Sequence, residues 1–171
     1  MSVYRMVEKG NPILSLKLGN VSPDCDREQV AADLADTMRA NNGIGLSANQ
    51  VGILERIFVM YSDIKERKII SCFNPQILEE STEHAYGDEG CLTYPGLHVK
   101  IRRSLNIRMR WTNQFGETNT SKFAGMTARI FQHEYDHING VIYHTRANRY
   151  HLDLARNKKR KLDRARKRLS A

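Results

Sequence analysis

The sequence predicts an α+β fold in which helices lie against antiparallel sheet, and three stretches carry that reading. Residues 26 to 43 have the period of an amphipathic helix, the middle of the chain is a series of short apolar or alternating runs, and a second helical pattern comes only afterwards, near residues 127 to 140. Helix, strands and then helix is a segregated order, unlike the regular strand–helix alternation that builds a parallel sheet.

The first helix is bounded on both sides. Asp24 and Asp26 offer N-caps, Val30, Leu34 and Met38 recur every four residues, and Asn41-Asn42-Gly43 supplies a stop. It leads into GIGLSANQVG, residues 43 to 52. RIFVMY and KIISCF are short apolar runs, whereas LHVKIRR and LNIRMRWT alternate apolar and polar residues as half-buried strands do. Residues 113 to 116 read as a hairpin turn. The second helix starts at about Thr127, taken as its cap, and stops at Asn139-Gly140. Met126, Ile130 and Ile138 share the side that carries His133 and His137, so both histidines are expected to point inward. Leu154, Ala155, Leu162, Ala165 and Leu169 form a thin apolar stripe that predicts a further helix over residues 152 to 169.

At 171 residues the chain is expected to be one compact unit with a core of its own. Cys25, Cys72 and Cys91 are an odd number, and the opening MSVYRMVEKG lacks a basic-then-apolar leader, so a reducing cytoplasm is the expected compartment. No apolar run approaches the roughly 20 residues that span a bilayer. The charge is uneven: residues 151 to 171 hold nine Lys or Arg against Asp153 and Asp163, which is seven of the formal +8. We therefore divide the chain into a near-neutral body, residues 1 to 146, and a basic arm, residues 147 to 171, whose expected partner is a polyanion.

FQHEYDHING, residues 131 to 140, contains the chemistry. His133 and His137, four apart on a helix, fall on one face and can grip one metal ion, with Glu134 beside them to take a proton from a bound water. A catalytic site needs a third protein ligand. In the metzincin pattern that ligand is a histidine, but here Tyr143 stands in its place, with His144 one residue out of step. A thermolysin-like site needs a later glutamate, and none follows Glu134. Asp153 lies in the basic arm without supporting context. Cys91, in AYGDEGCLTYPG at residues 85 to 96, is the better candidate, because a thiolate with two imidazoles is a soft set suited to zinc or ferrous iron. Cys25 and Cys72 are read as small core residues.

GIGLSANQVG, EGCLTYPG and QHEYDH, in this order, closely resemble the three signature motifs of the peptide deformylases. The resemblance extends through GNPIL, the helix before residue 43 and FNPQI, covering about residues 4 to 145. It implies antiparallel sheets around a central HExxH helix and hydrolytic removal of the formyl group from the N-terminal methionine of nascent polypeptides. It also implies metal ligation by Cys91, His133 and His137, general base and acid catalysis by Glu134, and oxyanion stabilisation by Gln50 and the Leu92 N–H. The implied cofactor is one divalent ion, Fe²⁺ in the cell, with Zn²⁺, Ni²⁺ or Co²⁺ as occupants of purified protein. By the same resemblance, Ile44, Met126 and Ile130 line the methionine pocket, while Gly45 and Gly90 offer backbone groups to an extended substrate. Asp136 lies behind the ligands with Arg102 or Arg103 as its mate. Arg129 either edges the pocket or turns to solvent, and His84, His98, His144 and His151 are surface or structural. Two departures from the usual motifs, Ser47-Ala48-Asn49 in the first and Thr93 in the second, leave the ligands untouched. Deformylases meet their substrate at the ribosome, and some dock there by a C-terminal helix, so ribosomal RNA is the implied partner of the basic arm. The enzyme is expected to be a monomer from a bacterium, an organelle or a virus of bacteria.

Two other readings stay open at this point. A zinc endopeptidase with another third ligand would tolerate Cys91→Ala. An RNA-binding protein with a purely structural metal would be indifferent to Glu134→Gln.

Overall fold

The structure, a computed structural model, describes residues 2–169; residues 1, 170 and 171, the last two at the end of the basic arm, lie outside it. Of the two candidate caps, Asp26 begins α1 (Arg27–Ala40), its side chain accepting the Gln29 N–H. The stop follows from Asn42 at φ 54° and from the Gly43 N–H, which returns to the Met38 carbonyl at 2.9 Å.

The chain then forms β1 (Gly45–Ser47), a single 3-10 turn over Ala48–Val51, β2 (Ile57–Asp63) and β3 (Lys68–Glu80). β4 (His84–Cys91) and β5 (Tyr94–Ser104) follow, then β6 (Asn106–Thr112) and β7 (Thr118–Ala124). A five-stranded antiparallel sheet has the order β1-β2-β3-β6-β7, and β4 and β5 make a separate two-stranded sheet. The turn expected over residues 113 to 116 joins β6 to β7. Sequence patterning missed β7, because its lower edge of Thr, Asn, Ser and Lys is too polar to read as a strand; register against β6 makes it one.

The apolar run in β2 has a clear cause. Phe58 and Met60 face a core shared with the second helix, α2 (Gly125–Ile138), while Ile57 and Val59 face the core under α1. All four are fully buried, so this strand has no solvent face on which to place polar residues.

α2 begins earlier than the sequence suggests. Thr127 is not its cap: the chain turns out of β7 at Gly125, φ 56°, and Thr127 Oγ1 donates to the Ser62 carbonyl at 3.3 Å instead. At the other end the stop is tertiary as well as local. Gly140 has φ 73°, and a Cβ there would lie 2.5 Å from the Ser15 carbonyl oxygen, so glycine is required both by conformation and by space.

A 3-10 turn over Tyr143–Arg146 leads to α3 (Arg149–Leu169). Of the expected stripe, Ala155 seats this helix and the leucines do not. Leu154 and Leu162 are about half exposed, and Leu169 is exposed; contact with β5 is made through Ala155 and Leu152, against Val99, Ile101 and Tyr143. No helix among the described residues is long and apolar enough to cross a membrane.

Candidate active site

Two elements bring the donors together. α2 carries His133 and His137 one turn apart on its buried side, with ring centroids 5.0 Å apart. Cys91 comes from across the second sheet. It is the last residue of β4, paired with Tyr94, and only Leu92 and Thr93 turn the hairpin. Cys91 Sγ and one ring nitrogen from each histidine all lie within 4.8 Å of one another, with Sγ 3.3 Å from His137 Nε2. Among the described residues this is the one cluster of three or more candidate metal donors. Asp153, the alternative ligand, is instead exposed on α3 beside Arg149.

The donor set fits a divalent cation. His133 Nδ1 lies 3.0 Å from Glu89 Oε2, which orients the ring and leaves its other nitrogen for a ligand role. Burial keeps His137 neutral by pushing its pKa well below the ordinary value, and its Nδ1 is buried without a hydrogen bond. His133 behaves differently: burial opposes its charge, but Cys91, Glu89 and Glu134 overcome that and raise its pKa to about 10. To take up a cation, this ring would have to release a proton.

Glu134 is buried, and burial raises its pKa despite the opposing influence of His133 and a hydrogen bond from Ser47. Ser47 Oγ donates to Glu134 Oε2 at 2.7 Å. The carboxylate lies directly over Gly45, where any side chain would collide with it. Gln50 closes the site from the other side: its Oε1 accepts the Ser47 N–H at 2.9 Å, and its Nε2 faces Thr93 Oγ1 at 3.1 Å and Cys91 Sγ at 3.3 Å. Asn49 Nδ2 donates to the His137 carbonyl at 2.7 Å. The departures Ser47, Asn49 and Thr93 are thus bonded to Glu134, His137 and Gln50 respectively, a closer involvement than the sequence indicated.

Behind the donors is a buried charge network. Arg103 Nε and Nη2 address the two oxygens of Glu89, both at 2.9 Å, and its Nη1 reaches Asp136 Oδ2 at 2.5 Å. Arg103 is therefore the mate of Asp136, and Arg102 on the opposite face of β5 is exposed. Arg146 also pairs with Asp136. Burial would raise the Glu89 pKa, but hydrogen bonds from Arg103 and His133 hold it well below the carboxylate range. Glu89 was not singled out in the sequence; its position two residues before Cys91 was the available signal. Tyr143 was noted only as a missing histidine, yet it is fully buried beside His133, with its hydroxyl donating to the Leu97 carbonyl at 2.6 Å.

A cavity of about 550 Å³ opens onto Cys91, His133 and Glu134. Ile44, Gly45, Gly90, Met126 and Ile130 all line it, as do Gln50 and Leu92, with Ile44 and Met126 exposed at the rim. Arg129 also lines it and does not turn to solvent. His98 is nearer the chemistry than expected, its ring lying against Gly90 on the cavity wall. His84, His144 and His151 lie outside the cavity, contacting Ser104, the rings of Tyr94 and Tyr143, and Tyr86 respectively.

Fold and site define an α+β protein with a Cys–His–His cluster able to hold a metal and a buried carboxylate beside it. The polypeptide deformylase family model matches residues 3–152. Peptide deformylase from Thermotoga petrophila is 39% identical over 141 residues, covering 82% of this chain and 84% of the relative. Among solved structures, peptide deformylase from Plasmodium falciparum is 31% identical with a TM-score of 0.83, covering 98% of this chain and 99% of that one. A class I type b peptide deformylase from Acinetobacter baumannii bound to Met-Ala-Ser is 32% identical with a TM-score of 0.77, covering 85% of this chain and 99% of that one. The chain belongs to the polypeptide deformylase family, and its function is that of a peptide deformylase.

Proposed function

We propose that the chain removes formate from the N-terminal formyl-methionine of nascent polypeptides with a divalent cation held by Cys91, His133 and His137. The observation that carries this reading is the convergence of those three donors within 4.8 Å, on the wall of a cavity that Glu134 also lines. A cation held there would supply Lewis acidity, for which we assign Fe²⁺ in the cell, with Zn²⁺, Ni²⁺ or Co²⁺ in purified protein.

Glu134 accepts the proton of the attacking water and returns it to the leaving amine, while Ser47 holds Oε2 so that the carboxylate stays aimed. The Gln50 Nε2–H now directed at the Cys91 sulfur turns to the developing oxyanion, and the Leu92 N–H assists it. Gly45 and Gly90 bond the extended peptide backbone, and Ile44, Met126 and Ile130 surround the methionine side chain. Asp136 and Arg103 position the ligands through Glu89. Formate release from formyl-Met-Ala-Ser should stop on treatment with a chelator and return when Fe²⁺ or Ni²⁺ is added back under anaerobic conditions. Full activity in the metal-stripped protein would refute the assignment.

We further propose that residues 1 to 146 perform the chemistry as a cytoplasmic monomer and that residues 147 to 171 dock on ribosomal RNA. The three cysteines are unpaired, as suits a reducing compartment. α3 presents Arg156, Lys158, Arg160 and Lys161 on largely exposed faces, which favours phosphate contacts that weaken steeply with salt. Deleting residues 151 to 171 should reduce co-sedimentation with ribosomes severalfold while leaving hydrolysis of the tripeptide in place. Equal co-sedimentation of the truncated and full chains would dismiss the docking role.

A further inference from the structure

The cavity assigned to methionine contains one residue that an apolar side chain does not need. Arg129 lies one helical turn before His133, its side chain only 12% exposed, and it lines the cavity together with Met126 and Ile130. Its Nη1 donates to Glu89 Oε1 at 2.8 Å and to the Ile101 carbonyl at 3.0 Å, and its Nη2 to the Ala85 carbonyl at 2.8 Å. Those bonds fix the guanidinium but leave the Nε–H and one Nη2–H outside them.

Gly87 is the second half of the arrangement. A Cβ at that position would lie 2.7 Å from Arg129 Cζ, 2.8 Å from Nε and 2.9 Å from Nη2. Gly87 does not have the positive φ that calls for glycine, so the missing side chain makes room for the guanidinium. Glu89 is shared with Arg103 and His133 and offsets this cation only in part, so what Arg129 offers the cavity is a fixed, positively charged donor. A donor fixed in an otherwise apolar pocket suits a ligand side chain that carries a hydrogen-bond acceptor.

We infer that Arg129 and Gly87 together make the methionine pocket accept a side chain with a hydrogen-bond acceptor near its tip, so that N-terminal formyl-methionine sulfoxide is a substrate alongside formyl-methionine. This rests on the deformylase reading and on the assignment of the pocket given above. The chemistry at the formyl group is unchanged; the sulfoxide oxygen accepts a full hydrogen bond from the guanidinium where the thioether sulfur is only a weak acceptor.

The test compares kcat/KM for formyl-Met-Ala-Ser, its norleucine analogue and each epimer of its methionine sulfoxide analogue. Norleucine matches the shape of methionine without sulfur or oxygen, so the sulfoxide-to-norleucine ratio isolates the acceptor. In Arg129→Leu the ratio for the preferred epimer should fall about tenfold, the equivalent of one hydrogen bond to a charged group. Arg129→Lys should keep part of it. Gly87→Ala, which retains the cation but pushes it from its seat, should lower the ratio in the same direction, and it serves alone if Arg129→Leu does not fold. An unchanged ratio in the folded variants, or an equal fall on all substrates, would overturn the inference while leaving the deformylase reading intact. Inactivity of the parent on formyl-Met-Ala-Ser would overturn both.

Discussion

Glu134→Gln is expected to keep its metal and lose turnover by on the order of 10²- to 10⁴-fold, the range for removing a positioned general base. The structure makes this a clean test. Gln is nearly isosteric with Glu, and its side-chain oxygen can still accept the 2.7 Å bond from Ser47 Oγ, so the carbonyl end stays in place while proton acceptance is lost. Cys91, His133 and His137 are unaltered, so metal content measured by elemental analysis should match the parent. The loss should appear in kcat with KM little changed, because the proposed role of the carboxylate is to act on the attacking water and not to bind the peptide. A variant with parental kcat would remove Glu134 from the proposed mechanism, and a variant that lost its metal would make the carboxylate a structural support for the ligands.

Arg103→Met should destabilise the protein by roughly 3–5 kcal/mol, the range for removing one partner from a buried ion pair. Arg103, Glu89 and Asp136 are each 4% exposed, so the stranded carboxylates would have little water to replace the guanidinium. Arg129 and His133 still bond Glu89, and Arg146 still bonds Asp136, which places the expected loss toward the lower end. Arg103→Lys should recover only part of it, since a single ammonium cannot serve two oxygens of Glu89 and one of Asp136 in a fixed fork. Urea unfolding of the three proteins, loaded with the same metal, measures both effects. Coincident midpoints for Arg103→Met and the parent would show that the network contributes nothing to stability.

The local signals were strong where the physics is local. Asp26 and Gly43 bound a helix through caps, the apolar run of residues 57 to 60 marks a strand buried on both faces, and the four-residue spacing of His133 and His137 places two imidazoles on one helical face. Patterning failed where distant chain decides the outcome. β7 is a strand because β6 pairs with it, and α2 starts at Gly125 because the chain turns there out of β7. The α3 stripe marked the seat only at Ala155, which packs together with Leu152 while Leu154 and Leu162 stay half exposed.

By itself, the sequence determined the α+β order of elements and, through its three motifs, the Cys91, His133, His137 and Glu134 side chains that the fold gathers in one place, because caps, periods and donor types are properties of short segments. Only the tertiary structure decided that Glu89 holds His133, Arg103 and Arg129 at once, that Ser47 aims Glu134, and that the space left by Gly87 admits a guanidinium to the cavity. Those contacts join residues up to 87 positions apart. Hydrogen bonds and close approaches of that kind depend on how β4, β5 and α2 meet, which no local pattern encodes.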